Sequence, residues 1–171
     1  VLEKTNVIIG AVTGVQGISW QEVTITGQSN HAGTTPMNMR RDPSYVAAKI
    51  AVFLRDLADR YGGHQVCTVG KIDLFPNLVN VIPAKAVMTL DVRNTDDHIL
   101  SAAELEISDF IATVSHSESV EISSRCLTRF VPVIFHPQVI EIVEKVSASH
   151  APSVTRMPSG AGHDAQMFAR V

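Results

Sequence analysis

Four short stretches of this sequence carry side chains able to do chemistry. The first, "SNHAGTTPMNMRRDP" over 29–43, sets His31 between Asn30 and a turn of small residues, with Arg40 and Arg41 a few positions on. A histidine at such a corner is either simply solvated or a donor and proton carrier for a ligand, because loops lie at the surface and carry function more often than cores do. The second stretch, "PSGAGHDAQMF" over 158–168, uses Gly160, Ala161 and Gly162 to deliver His163 and Asp164 to the start of an apolar, helix-like run. Glycines let the backbone approach a ligand closely, and a helix start offers free N–H groups to an anion or a developing oxyanion. An ordinary loop ahead of an Asp-capped helix fits the same pattern.

The third stretch is "VMTLDVRN" over 87–94, preceded by Ala86. Alternation puts Ala86, Met88, Leu90 and Val92 on one face and Val87, Thr89, Asp91 and Arg93 on the other. Arg93 at the end of that strand suits a substrate carboxylate held bidentately, or else an ion pair to Asp91 or Glu22. In the fourth, "PNLVNVIP", Asn80 is a turn residue or an amide donor to the same ligand.

Two other chemistries fail on spacing. A nucleophile elbow at Ser159 would need glycine two positions earlier, where Met157 stands, and no third orienting group is evident. His163 and Asp164 make a poor metal pair, since adjacent helical side chains diverge by about 100° and a catalytic zinc takes three protein ligands. His64, His98, His116, His136 and His150 fall at loops or helix ends without paired spacing and read as solvated.

The elements that must position these groups are legible in hydrophobic period and turn chemistry. "WQEVTITG" (20–27) alternates as a half-exposed strand, with Val23 and Ile25 on its apolar face. A helix over 42–63 has Asp42 as N-cap, Pro43 at its first position, a stripe of Val46, Ile50, Phe53, Leu54 and Leu57, and Gly62-Gly63 as its stop. Strands follow at 65–75 and 86–94. A second helix is capped at Asp96 and Asp97 with a stripe of Leu100, Ala103, Ile107, Phe110 and Val114, and a fourth strand covers 119–127. The order β-α-β-β-α-β predicts an α+β, ferredoxin-like sandwich: a four-stranded antiparallel sheet with two helices on one face. Outside it, 1–19 is a glycine-punctuated extended segment and 136–148 a helix opened by Pro137. The expected division is therefore 1–19, 20–130 and 131–171, with the outer two as parts of one further domain. Val1 in place of methionine, and an apolar run just beginning at Val171, suggest a piece of a longer chain.

Composition narrows the classes. The 171 residues are 45% hydrophobic and 18% charged, ordinary for a globular protein. A net charge of −3 with no basic tract argues against nucleic acid. The apolar runs are broken before they could span a membrane, and no signal segment opens the chain. Cys67 and Cys126, far apart in apolar alternating runs, are expected to be buried free thiols in a reducing, cytoplasmic setting.

Taken together, "GQSNHAGTTPM..RRDP", "PNLVNVIP", "TLDVRN" and "SGAGHDA", in this order and spacing, resemble the hydantoinase/carbamoylase family of dinuclear metal amidohydrolases, across essentially the whole chain. That family includes N-carbamoyl-L-amino acid hydrolase, metal-dependent β-ureidopropionase and allantoate amidohydrolase. The resemblance implies that 20–130 is a lid that also forms a homodimer, and that the flanks belong to a catalytic domain. It implies two divalent ions, zinc or manganese, in the complete enzyme, whose ligands and general base lie outside this chain. No metal and no turnover are then expected of the chain alone. In this correspondence a metal-bridging hydroxide attacks the carbamoyl or ureido carbonyl. His31 reaches across the dimer to that carbonyl, His163 with Gly162 lines the reacting group, and Arg93 with Asn80 holds the carboxylate of a small ureido acid. The alternatives are the dimerisation domain of a related metallopeptidase or aminoacylase, and a dimerisation module without chemistry.

Overall fold

The structure, a computed structural model, describes residues 2–169. Val1, Arg170 and Val171, the outermost residues of the two flanking stretches, lie outside the described residues. In chain order the elements are α1 (Leu2–Thr5), β1 (Ile9–Val15), β2 (Gly17–Thr26), β3 (Asn30–His31), α2 (Pro43–Tyr61), β4 (Val66–Phe75), β5 (Val81–Ile82), β6 (Lys85–Asn94), α3 (Asp97–Ser117), β7 (Glu121–Phe130), β8 (Val133–Ile134), α4 (Pro137–Ala148), β9 (Val154–Ser159) and α5 (Asp164–Phe168).

The expected sandwich is present. Strands β4-β6-β2-β7 form one antiparallel sheet in that order, with β6 and β2 paired along their whole length from Gly17 opposite Asn94 to Thr26 opposite Lys85. Helices α2 and α3 cover one face. Their stripes meet Val23, Ile25, Ala86, Met88, Leu90 and Val92 in a single buried cluster. Burying each such side chain contributes about 1.5–3 kcal/mol against leaving it in water, which makes this cluster the main driving force of the fold. The opposite face of β6 carries Val87, Thr89, Asp91 and Arg93, as the alternation predicts.

Both long helices start as their sequences dictate. Asp42 Oδ1 accepts from the Ser44 and Tyr45 N–H groups, and Asp96 Oδ1 from those of His98 and Ile99. Helix α2 ends at Gly62, whose positive φ of 63° favours a residue without a Cβ.

Several expectations shift. Strand β2 begins at Gly17 rather than Trp20, because Ile18 and Ser19 find partners on both β6 and β7. In α3, Ile111 is the buried residue and Phe110 is half-buried, its ring stacked on Phe53 at 4.0 Å. Cys67 is half-buried, and burial pushes its thiol pKa up, whereas Cys126 on β7 is exposed. Both cysteines are free. His136 is not merely solvated: its Nδ1 accepts from the Gln138 N–H at 3.3 Å and caps α4.

A second, three-stranded sheet has the order β8-β1-β9, with β1 parallel to β9 and antiparallel to β8. Gly14 is required where these strands meet, since a Cβ there would run into the Val133 carbonyl. One residue, Gln16, separates β1 from β2, so the two sheets follow one another almost without a linker. Among the described residues no helix is long and apolar enough to cross a membrane.

Candidate functional site

The His31 corner is built from two loops. Strands β3 and β5 pair as Asn30 with Ile82 and His31 with Val81, and the Ala32 N–H donates to the Asn80 carbonyl at 2.9 Å. This two-strand ribbon was not legible in the sequence, because each strand is two residues long. It brings His31 and Asn80 together. Arg40 closes the turn from inside: its Nη2 donates to the carbonyls of Ala32 (2.6 Å) and Thr35 (3.0 Å), and its Nε also reaches Thr35 (3.1 Å). The exposed imidazole of His31 accepts the Gly33 N–H at Nδ1, 3.1 Å. With Nδ1 an acceptor, the neutral ring carries its proton on Nε2, which leaves Nε2–H free to donate outward.

The Arg93 corner lies where β6 ends. Nε and Nη2 of Arg93 donate to the two carboxylate oxygens of Asp91 at 2.8 and 2.7 Å, and Nη1 donates to the carbonyl of Gly160. The guanidinium also lies 5.9 Å from the ring of Trp20, which is directly opposite Asp91 on β2. The Asp91 carboxylate holds Arg93 still more firmly protonated than usual, against the opposing effect of burial. Of the two ion-pair partners weighed from sequence, Asp91 is the one used, while Glu22 pairs with Arg125 at 2.9 Å.

Through Gly160 this corner includes the glycine-rich loop. Gly162 and His163 are exposed, and the His163 ring stands edge-on to Phe135 with centroids 5.7 Å apart. His163, rather than Asp164, takes the N-cap position of α5 and makes no side-chain cap bond. Ser159 is engaged in its own turn, bonding the Ala161 carbonyl at 2.7 Å and the Ala161 N–H at 3.2 Å.

Sequence reasoning missed the polar joint beneath Arg93. Asn94 Nδ2 donates to Gln65 Oε1 at 2.9 Å, Gln65 Nε2 donates to the Arg93 carbonyl at 3.1 Å, and Gln16 Nε2 donates to the His64 carbonyl at 3.1 Å, with all three side chains buried. A polar residue at the end of an alternating strand was the only available signal, and at Asn94 it reads equally as a turn.

The two corners do not meet within one chain. His31 and Asn80 lie off the end of the sheet where Thr26 pairs with Lys85, and Arg93 and the 160–163 loop lie at the end where Gly17 pairs with Asn94. At about 3.4 Å per residue, Lys85 and Arg93 are roughly 27 Å apart along β6. Asn80 therefore lies at the His31 corner, a sheet length away from Arg93 in the same chain. Among the described residues no three His, Cys, Asp or Glu side chains are grouped to hold a metal ion.

A family model described as a peptidase dimerisation domain matches residues 13–118, and the chain belongs to that family. Over 169 residues it is 34% identical to the allantoate amidohydrolase of Escherichia coli, covering 99% of this chain and 41% of that protein. It is 32% identical over 171 residues to the N-carbamoyl-L-amino acid amidohydrolase of Geobacillus stearothermophilus, covering 100% of this chain and 42% of that protein. The crystal structure of a hydantoinase/carbamoylase family amidase from Burkholderia multivorans superposes with a TM-score of 0.95 at 32% identity, over 100% of this chain and 42% of that one. The chain thus spans about two fifths of the length of the relatives it matches.

Proposed function

We propose that this chain is the lid and dimer-forming part, with adjoining catalytic-domain segments, of an amidohydrolase that cleaves the carbamoyl or ureido C–N bond of a small carboxylated substrate. Residues 20–130 are the lid, and the described parts of 1–19 and 131–171 belong to the catalytic domain. The relatives named above support the reaction class. The reading rests most on one observation, the sheet's length between the His31 corner and the Arg93 corner, which keeps both from acting on one small molecule within a single chain.

In a homodimer the His31–Asn80 corner of one copy meets the Arg93–His163 corner of the other. Arg93 binds the substrate carboxylate and Asn80 adds an amide donor from the partner side. The His31 Nε2–H, its tautomer set by Gly33, donates to the carbonyl oxygen as negative charge develops there, and His163 with Gly162 lines the same position. The attacking water and the divalent ions that activate it, zinc or manganese in the sequence-based expectation, belong to residues outside this chain. Alone the chain is therefore inactive. Two unpaired thiols favour a cytoplasmic enzyme.

Mixed dimers test this in the complete enzyme. His31→Ala lowers kcat by about 10²–10³-fold, the usual effect of losing one oxyanion donor. Arg93→Ala chiefly raises KM. Co-expressing the two variants restores about a quarter of the wild-type rate, because half the dimers are mixed and each of those has one intact site. Absence of any recovery would put both residues in one subunit and sink the proposal.

A further inference from the structure

Arg93 offers five N–H donors, and among the described residues three are used: two by Asp91 and one by the Gly160 carbonyl. One N–H remains on each terminal nitrogen. The side edge of the guanidinium, usually the first to take a carboxylate, is thus already filled by a carboxylate of the protein. Asp91 is well placed to hold it. It sits two residues earlier on the same face of β6, a strand paired on both sides, opposite Trp20 on β2 and Thr68 on β4.

We infer that Asp91 is a positioning residue for substrate recognition: by occupying the Nε–Nη2 edge it turns the guanidinium so that a substrate carboxylate is met by the N–H groups left on the terminal nitrogens. This rests on the reading of Arg93 as the carboxylate clamp. Two physical effects compete, and they differ in sign. If Asp91 acted through its charge alone, it would repel the substrate acid, and its removal would tighten binding. If it acts by orientation, its removal lets Arg93 rotate among other staggered conformers and weakens binding. The bidentate geometry and the third anchor on Gly160 favour orientation, since a guanidinium fixed at three of its donors has one attitude.

The test uses the complete enzyme with N-carbamoyl-L-alanine or allantoate, whichever the wild type turns over, against the carboxamide of the same acid. Asp91→Asn is expected to raise KM for the acid about tenfold with kcat changed by less than about twofold, and to leave the carboxamide kinetics alone. Preference for acid over amide then falls by the same factor of about ten, a change that loss of fold would not produce. Asp91→Glu keeps a carboxylate on that edge and recovers most of the preference. It also serves as the test should the asparagine variant fail to fold, with loss of preference in a folded Asp91→Glu enzyme counting against the proposal. An acid KM that stays or falls in Asp91→Asn, while Arg93→Ala raises it, overturns the role of Asp91 and leaves the clamp standing. An acid KM unmoved by Arg93→Ala, or a wild type inert towards both acids, overturns the clamp and this inference with it.

Discussion

The two sheets of this chain differ in how completely each buries what its sequence makes apolar. Around the four-stranded sheet, α2 and α3 turn full apolar stripes inward, and Ile25, Ile50, Leu57, Met88 and Leu100 are 0% exposed, although Val52 and Leu105 stay on the outside at 61% and 64%. Around the three-stranded sheet, α4 buries Ile140 alone, while Val139, Val143, Val146 and, at 63%, Ile142 are exposed beside the polar Gln138, Glu141 and Lys145. The first region supplies its own core, and the second buries far less of what it carries.

Paired truncations test that contrast most strongly. In the 171-residue chain, Leu90→Ala is expected to lower unfolding free energy by about 2–5 kcal/mol, as for other large-to-small changes in a full core. Ile140→Ala, although also a buried residue, should cost under about 1 kcal/mol there, because α4 is packed on one side only. Urea melts followed by circular dichroism measure both, and equal losses would remove the distinction between the regions.

A smaller effect is expected at the joint. Asn94→Ala leaves Gln65 Oε1 buried without its donor and should cost about 1–3 kcal/mol. The same change should speed amide exchange at the ends of β6 and β4 but not at Val23 or Met88. Exchange rising evenly through the sheet would show the joint to be part of the core.

The smallest effect is on the outer surface. The Tyr61 hydroxyl and then Arg60 hold the Glu106 carboxyl below the usual carboxylate range, tying α3 to α2 at 2.7 and 2.8 Å. A depressed carboxyl stabilises the fold above its unfolded pKa, about 4.3, and that share is lost as pH falls through the folded value. Glu106→Gln should therefore cost a few tenths of a kcal/mol at pH 7, in keeping with a half-exposed pair. The cost should shrink as pH falls through the folded value, and a loss that does not change with pH would assign the effect to packing.

The same contrast explains what could be read in advance. The sandwich was legible because its signals are local and repeated: Asp42-Pro43, Gly62-Gly63, Asp96 and the alternation of 86–94 each fix an element, and one order of elements buries them all. The flanking sheet was not, since β1, β8 and β9 pair strands distant in sequence and the two residues of β8 carry no period. At the site, residue types picked out candidates but not their grouping. Arg93 was placed on the correct face by alternation. Asn80 could be assigned to His31 only once the β3–β5 ribbon was seen, and Arg40 became more than a loop charge only when its carbonyl partners appeared.

The single-residue step at Gln16 has its counterpart on the return path. Phe130 lies opposite Ile18, and just beyond them Val133 and Ile134 lie opposite Val15 and Gly14. The polypeptide enters and leaves the sandwich through one doorway, as a cassette does. A short bridge from Val15 to Val133 would close that doorway without unthreading the strands behind it, so the whole cap can be exchanged between relatives as one part.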